Sequence, residues 1–229
     1  MASLNLLAHG SRPDMSYMVA ELSTHFKQGN IQHLKSINKA VKSVKMEPIT
    51  IKFPNLEGDL RLVSFCDAAL NNMDDGVSSA GGFIIFLVDK SFKSAPLFWT
   101  STKLKRVVKS SWAAEALCAV SCVDTTVYMQ HLTAELLGVP MHKLTPTIIT
   151  DSKNLTEALS SPHPVQEKRL RVDLASIKQD VAEEKIKVVH CPGSKQVADI
   201  LSKRTANPDM MREVIRSGSL KNILIDILD

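Results

Sequence analysis

The hydrophobic pattern of this 229-residue chain changes period near residue 60, and that change restricts the fold more than any other feature. Upstream, apolar residues recur every three or four positions, as on one face of a helix. Downstream they alternate or run in short blocks. "LRLVSFCD", residues 60–67, alternates and is rich in β-type residues, so it reads as a strand ending at Asp67. The polar "NNMDDGVSSAGG" is a loop. "FIIFLVDK" has the continuous apolar character of a central strand, and "APLFWTS" makes a third, completing a meander. A long helix follows over residues 111–137, then a strand at "TIIT" and a helix over "VQEKRLRVDLASIKQDVAEE", whose Leu170, Leu174, Ile177 and Val181 form one stripe. "KIKVVHC" is a fifth strand and "SKQVADILSKR" a last helix. The order α-α, then β-β-β-α-β-α-β-α, predicts an α/β fold with an N-terminal two-helix appendage.

That appendage has two parts. Residues 13–27 read as a helix with Pro13 at its first position and Asp14 in its favourable first turn. Met15, Met18, Val19, Leu22 and Phe26 form its apolar stripe. After "QGN", Ile31, Leu34, Ile37, Val41 and Val44 mark a second amphipathic helix. Its other face carries Lys35, Lys39 and Lys42, either as a solvated face or as a nucleic-acid contact.

Composition narrows the class. A hydrophobic content of 44% and a charged content of 23% are those of a folded globular protein. A net charge of +4 says little about partners, so a nucleic-acid signal has to come from local clusters. Cys66, Cys118, Cys122 and Cys191 form no Cys-x-x-Cys pair, which predicts reduced thiols in an intracellular protein, cytoplasmic or nuclear, rather than zinc ligands. Cys118 and Cys122, four apart, fit the buried stripe of the long helix. "MASLNLLAHG" lacks the basic flank of a signal peptide, and no apolar run is long enough for a membrane span.

Four acids stand where acids need a reason. Asp67 and Asp151 end apolar strands, and ionised groups resist burial unless paired or bound to a cation. If those strands are neighbours, the two carboxylates converge, and a divalent cation between them would let both stay ionised. Glu115 in "AAEAL" and Asp199 in "VADIL" lie in apolar or small-residue settings and could join them. Such a cluster is what a two-metal phosphoryl-transfer centre needs. Three of these acids also have a plain alternative: a turn former or cap for Asp151, and a partner of the helix dipole for Glu115 and Asp199.

The succession "SFCDAAL", "SSWAAEALCA", "IITDSKNL" and "VADILSK" resembles the ribonuclease H domain of copia-type retrotransposon polyproteins. "FWTSTKLKRVVKSSWAAEAL" and "EKRLRVDLASIKQDV" extend the likeness, and "GSRPDMSYMVAELSTHF" looks like the end of the reverse transcriptase that precedes such a domain. The resemblance implies a ribonuclease H-like fold with a five-stranded mixed sheet flanked by helices. It divides the chain into a reverse-transcriptase remnant (1–59), a ribonuclease H domain (60–205) and a C-terminal helical tail (206–229). It implies an Asp-Glu-Asp-Asp site at Asp67, Glu115, Asp151 and Asp199, holding two Mg²⁺ for which Mn²⁺ can substitute. In that mapping Asp67 is shared by both ions, Glu115 and Asp151 complete one shell, and Asp199 holds the other ion.

The implied activity is endonucleolytic hydrolysis of the RNA strand of an RNA/DNA hybrid. The implied partners are that hybrid and the remainder of a reverse transcriptase, with no membrane involved. Lys103, Lys105, Arg106 and Lys109 in "TKLKRVVK" are the candidate phosphate contacts, or else a solvated loop. Lys168, Arg169 and Arg171 read rather as surface ion-pairing groups. Ser152 and Asn154 could bond sugar or phosphate, or cap the helix after Asp151. His190 is the candidate auxiliary group: members of the wider family carry a histidine on a mobile loop before the last aspartate, whereas His190 precedes "PGSKQVA" at a strand end, where a structural role is the plainer reading. Trp112 stands where copia-type sequences often have a small or polar residue. The chain has no Tyr-x-Asp-Asp polymerase motif, so no DNA synthesis is expected of it. A non-catalytic remnant that binds nucleic acid or a polymerase is the alternative reading, and another nuclease of the same fold is a third.

Overall fold

The computed structural model describes residues 1–25, 29–165 and 167–228. A five-stranded mixed sheet forms its centre, in the order β3-β2-β1-β4-β5: β1 is Arg61–Ala69, β2 Ala80–Val88, β3 Ser94–Lys103, β4 Thr147–Thr150 and β5 Lys187–His190. The first three strands are the expected antiparallel meander, while β4 pairs parallel with β1 and β5 parallel with β4. Strands joined by helical crossovers pair in parallel, strands joined by short turns antiparallel, so the mixed sheet follows from the order of elements.

Both faces of the sheet are covered, because successive residues of a strand point to opposite sides. Leu62, Cys66 and Ala68 of β1 and Ile148 of β4 face one core, roofed by the long helix at Ser111–Leu137. Val63, Phe65 and Ile149 face a second core. The residues expected as a tail supply much of its cover: Met211, Val214 and Ile215 from Asp209–Ser217, and Ile223 and Leu224 from Lys221–Leu228, are all buried there.

The N-terminal region has one more helix than expected. In chain order the helices are α1 (Ala2–Gly10), α2 (Ser16–Thr24), α3 (Ile31–Met46), α4 (Ser111–Leu137), α5 (Lys153–Ser160), α6 (Arg171–Ala182), α7 (Asp199–Ser202), α8 (Asp209–Ser217) and α9 (Lys221–Leu228). Leu4 and Ala8, one turn apart, are the buried positions of α1. Pro13 opens a 3₁₀ turn, Pro13–Met15, rather than α2 itself. Phe26 and Lys27, expected in the same helix, lie outside the described residues. A capping box starts α3: the Asn30 side chain accepts from the His33 amide while His33 Nδ1 accepts from the Asn30 amide.

These helices dock on the sheet. Trp99 Nε1 in β3 donates to the Ala8 carbonyl at 2.6 Å, and Tyr17 Oη donates to the Asn72 carbonyl at 3.0 Å. Asp14 is enclosed by two guanidinium groups, Arg12 from its own turn and Arg212 from α8, each with contacts of 2.9 Å.

Three helical expectations are corrected. The stretch 165–184 is helical only from Arg171, because Leu170 first closes a turn onto the Glu167 carbonyl; Gln166 lies outside the described residues. Lys168 and Arg169 therefore precede the helix. A separate short helix, α5, intervenes after β4, and the expected last helix at 194–204 narrows to a 3₁₀ turn, Gly193–Lys195, plus the four residues of α7. Among the described residues no helix is long and apolar enough to cross a membrane.

Candidate active site

Three of the four predicted acids meet at one end of the central strands. Asp67 lies near the end of β1 and Asp151 directly follows β4. Their strands are in register, Val63 beside Thr147 and Phe65 beside Ile149, so the two acids end adjacent strands. Asp199 opens α7, which packs on β1 and β2. Gln196 ties that segment down by donating from Nε2 to the Cys66 carbonyl at 3.0 Å. Carboxylate oxygens of Asp67, Asp151 and Asp199 lie within 4.8 Å of one another, with Asp67 buried and the other two half-buried.

Glu115 stands outside this group, in the second turn of α4 beyond the Ser110 cap. It belongs to the same neighbourhood nonetheless. Burial raises its carboxyl above the ordinary range, the Ser152 hydroxyl and Lys203 oppose the rise, and the charge of Asp151 adds to it. Trp112, one turn earlier, is half-buried against the first core.

The residue missed in the sequence is Lys203. Its Nζ lies 2.6 Å from Asp199 Oδ1 and 3.2 Å from Asp67 Oδ2. Ser202 adds a hydrogen bond from its hydroxyl to Asp67. Even so, burial pushes the Asp67 carboxyl up to about 6; Lys203 and Ser202 lower it, while Asp151 and Asp199 raise it further. One ammonium thus contacts two of the three clustered carboxylates, leaving negative charge in excess. The Asp199-to-Lys203 spacing of four residues was the available signal, but on a helix it reads as an ordinary surface pair.

The other candidates are scattered around this centre. His190 ends β5 opposite Thr150, the residue before Asp151, and is half-exposed. Ser152 is buried and caps α5, accepting from the Leu155 amide at 3.3 Å, whereas Asn154 is exposed. Lys103 pairs with Asp75 at 2.9 Å and Arg106 with Asp173 at 2.8 Å. Lys105 and Lys109 are exposed, with no ion pair among the described residues. Arg106 and Lys109 share a groove of about 430 Å³ with Lys168 and Arg169. The four cysteines are buried and free; Cys118 Sγ donates to the Asp67 carbonyl at 3.2 Å, a structural role.

A mixed sheet in this order, helices on both faces, and acids converging at the ends of its adjacent central strands define a ribonuclease H-like fold with a candidate divalent-cation site. The chain is 29% identical over 206 residues to the "Retrovirus-related Pol polyprotein from transposon RE1" of Arabidopsis thaliana, covering 89% of this chain and 13% of that protein. The corresponding polyprotein of transposon RE2 is 28% identical over 204 residues, again 89% of this chain and 14% of the relative. A putative transposon Ty5-1 protein of Saccharomyces cerevisiae is 29% identical over 109 residues, 47% of this chain and 33% of that protein. The likeness to retrotransposon Pol polyproteins read from the motifs therefore extends along most of the sequence. No family model matches. Among solved structures, LC11-RNase H1 isolated from compost is 18% identical, with a TM-score of 0.45 over 62% of this chain and 92% of its own. The N-terminal RNase H domain of rv2228c from Mycobacterium tuberculosis is 19% identical, with a TM-score of 0.43 over 70% and 99%.

Proposed function

We propose that this chain is a metal-dependent endonuclease that hydrolyses the RNA strand of RNA/DNA hybrids. The observation that carries the reading is the convergence of Asp67, Asp151 and Asp199 around an excess of negative charge. Carboxylates held this close favour a cation beyond the one ammonium of Lys203, and their hard oxygen donors suit Mg²⁺, with Mn²⁺ as substitute. The donor set thus fits the two ions that the motif resemblance implies. Asp67, Asp151 and Asp199 would hold them, with Glu115 completing one shell. Bound there, such ions would supply an activated water and stabilise the leaving oxygen of the phosphodiester.

The protein's own groups prepare that site. Ser202 orients Asp67 by hydrogen bonding, and Gln196 holds the approach to α7 against β1. Lys203 compensates part of the charge between Asp67 and Asp199. Exposed Lys105 and Lys109 would meet phosphates, and recognition of the hybrid would fall on ribose hydroxyls in its wide minor groove. The rest of a reverse transcriptase is the expected protein partner.

The test is cleavage of a labelled RNA/DNA hybrid in Mg²⁺ and in Mn²⁺ by wild type, Asp67→Asn and Asp151→Asn, each shown by circular dichroism to be folded. Metal-dependent cleavage that both substitutions abolish supports the enzyme. A folded wild type that binds hybrid but never cuts it would replace this reading with the non-catalytic remnant. Parallel assays on duplex RNA and duplex DNA separate a hybrid-specific nuclease from other nucleases of the same fold.

A further inference from the structure

Two grooves lie along the first turns of α4, largely outside the proposed nuclease site. One, of about 450 Å³, is lined by Trp112, Ala158, Pro164 and Val165 together with Asn154 and His163. The other is the groove of about 430 Å³ that holds Arg106, Lys109, Lys168 and Arg169. They adjoin, because Trp112 and its helix neighbour Ala113 each line one of them and Glu167 lines both. The first groove also borders the acids. Trp112 precedes Glu115 by three residues, which makes the two neighbours on the surface of α4, and Asn154 follows Asp151 by three.

The chemistry of the pair is that of a flat apolar ring beside cations. Trp112 packs against the first core and yet lines the groove, so its indole is held in place while half of it stays accessible. In the second groove Arg106 is engaged by Asp173. Lys168 and Arg169 are exposed, and neither makes the surface ion pair expected of it with any described residue. Glu167 is the one acid in the lining, against four cations. A basic groove that tracks a backbone, next to an aromatic on which a base can stack, is the combination that holds single-stranded nucleic acid. A fully paired hybrid cannot use the ring, because each base inside a duplex is already stacked on its neighbours and drawing it out costs that stacking.

We infer that the two grooves form a track for a single-stranded segment of nucleic acid, with Trp112 stacking on an unpaired base and Lys168 and Arg169 meeting the phosphates beside it. The track leads to the neighbourhood of Glu115 and Asp151, so it would direct cutting to the place where a hybrid gives way to an unpaired strand. That consequence rests on the nuclease reading, whereas the binding of the strand does not.

The experiment titrates the full chain in chelator, which stops cleavage, with a short labelled oligothymidylate and with a fully paired RNA/DNA hybrid, following label anisotropy and tryptophan emission. Trp99 is buried and donates to the Ala8 carbonyl, so it gives a constant background. Oligothymidylate is expected to quench the emission of wild type, and the paired hybrid to leave it unchanged. Trp112→Leu, still apolar against the core, should bind oligothymidylate about 5-fold more weakly or worse, the low end of what a base stacked on an aromatic is worth. Trp112→Phe keeps a ring and should keep most of the affinity. Lys168→Ala and Arg169→Ala should each reduce the slope of log K against log salt by about 0.7. Circular dichroism establishes that the variants are folded, and the quenching of wild type decides the matter without them. No oligothymidylate binding by wild type, equal binding by folded Trp112→Leu, or equal quenching by the paired hybrid overturns the inference. A chain that binds as expected but never cuts a hybrid overturns the nuclease reading alone.

Discussion

Gly82 of β2 and Leu201 of α7 are packed so closely that a methyl group on Gly82 would lie 2.5 Å from the Leu201 carbonyl oxygen and 2.7 Å from its carbonyl carbon. Gly82 is also the strand partner of Asp67, and Leu201 lies between Asp199 and Lys203. The absent side chain thus sets how near α7 can bring its charged groups to Asp67. Because the opposing atoms are backbone, they cannot swing aside. Gly82→Ala is expected to push α7 outward, costing about 1–3 kcal/mol of stability and most of the cleavage activity. Chemical denaturation and the hybrid assay check both. An active, fully stable variant would show that α7 has room to move.

Lys203 and the acid cluster make a prediction about metal linkage. Replacing Lys203 with Met leaves Asp67, whose side chain is 3% exposed, facing Asp151 and Asp199 without the ammonium. Removing one partner of a fully buried pair costs about 3–5 kcal/mol. The Lys203 side chain is 36% exposed, so about 1–2 kcal/mol is expected in chelator. The deficit should shrink as Mg²⁺ is added, because the ion supplies the missing charge. Tm measured across a Mg²⁺ series tests this, and a deficit independent of Mg²⁺ would falsify it.

How much of this was legible in the sequence depends on how local each signal was. The strand meander, the span of α4 and the meeting of Asp67 with Asp151 follow from period and element order, which act along the chain. The convergence of Asp199 was legible through its motif, but the role of Lys203 was not, because only the packing of α7 on β1 turns an ordinary four-residue spacing toward a buried carboxylate. Helix α5 was hidden because eight residues give few turns of periodicity. The cover formed by α8 and α9 depends on which sheet face lacks other helices, a fact absent from either segment. Glu115 was placed in the right neighbourhood, yet its position outside the tight group depends on how α4 sits against the sheet.

The buried Asp14 sets a pH dependence of stability. Burial alone raises its carboxyl, but hydrogen bonds and charge from Arg12 and then Arg212 outweigh it and hold the group below its ordinary value of 3.8. A carboxyl depressed in the folded state stabilises the protein above its unfolded value, and that contribution is lost as pH falls through the folded value. Asp14→Asn should therefore lower Tm at neutral pH, by about 3 kcal/mol in stability, with two guanidinium groups left short of a counter-charge. The gap to wild type should narrow below pH 3.8. Parallel Tm curves for the two proteins down through that range would remove Asp14 as the cause.

The basic run before α4 gives the last prediction, which separates a phosphate-binding surface from a solvated loop. Lys103 and Arg106 are engaged with Asp75 and Asp173, so contacting a phosphate would first require breaking an ion pair. Lys105 and Lys109 are exposed and have no such engagement among the described residues. Each phosphate contact releases counterions, so removing one lysine that makes such a contact should reduce the slope of log K against log salt by about 1. Lys105→Ala and Lys109→Ala are expected to show that change in hybrid binding, weakening it uniformly across sequences. Lys103→Ala and Arg106→Ala should change the slope less. Four equal slopes, all unchanged from wild type, would mean that the run is a solvated loop and that the hybrid lies elsewhere on the protein.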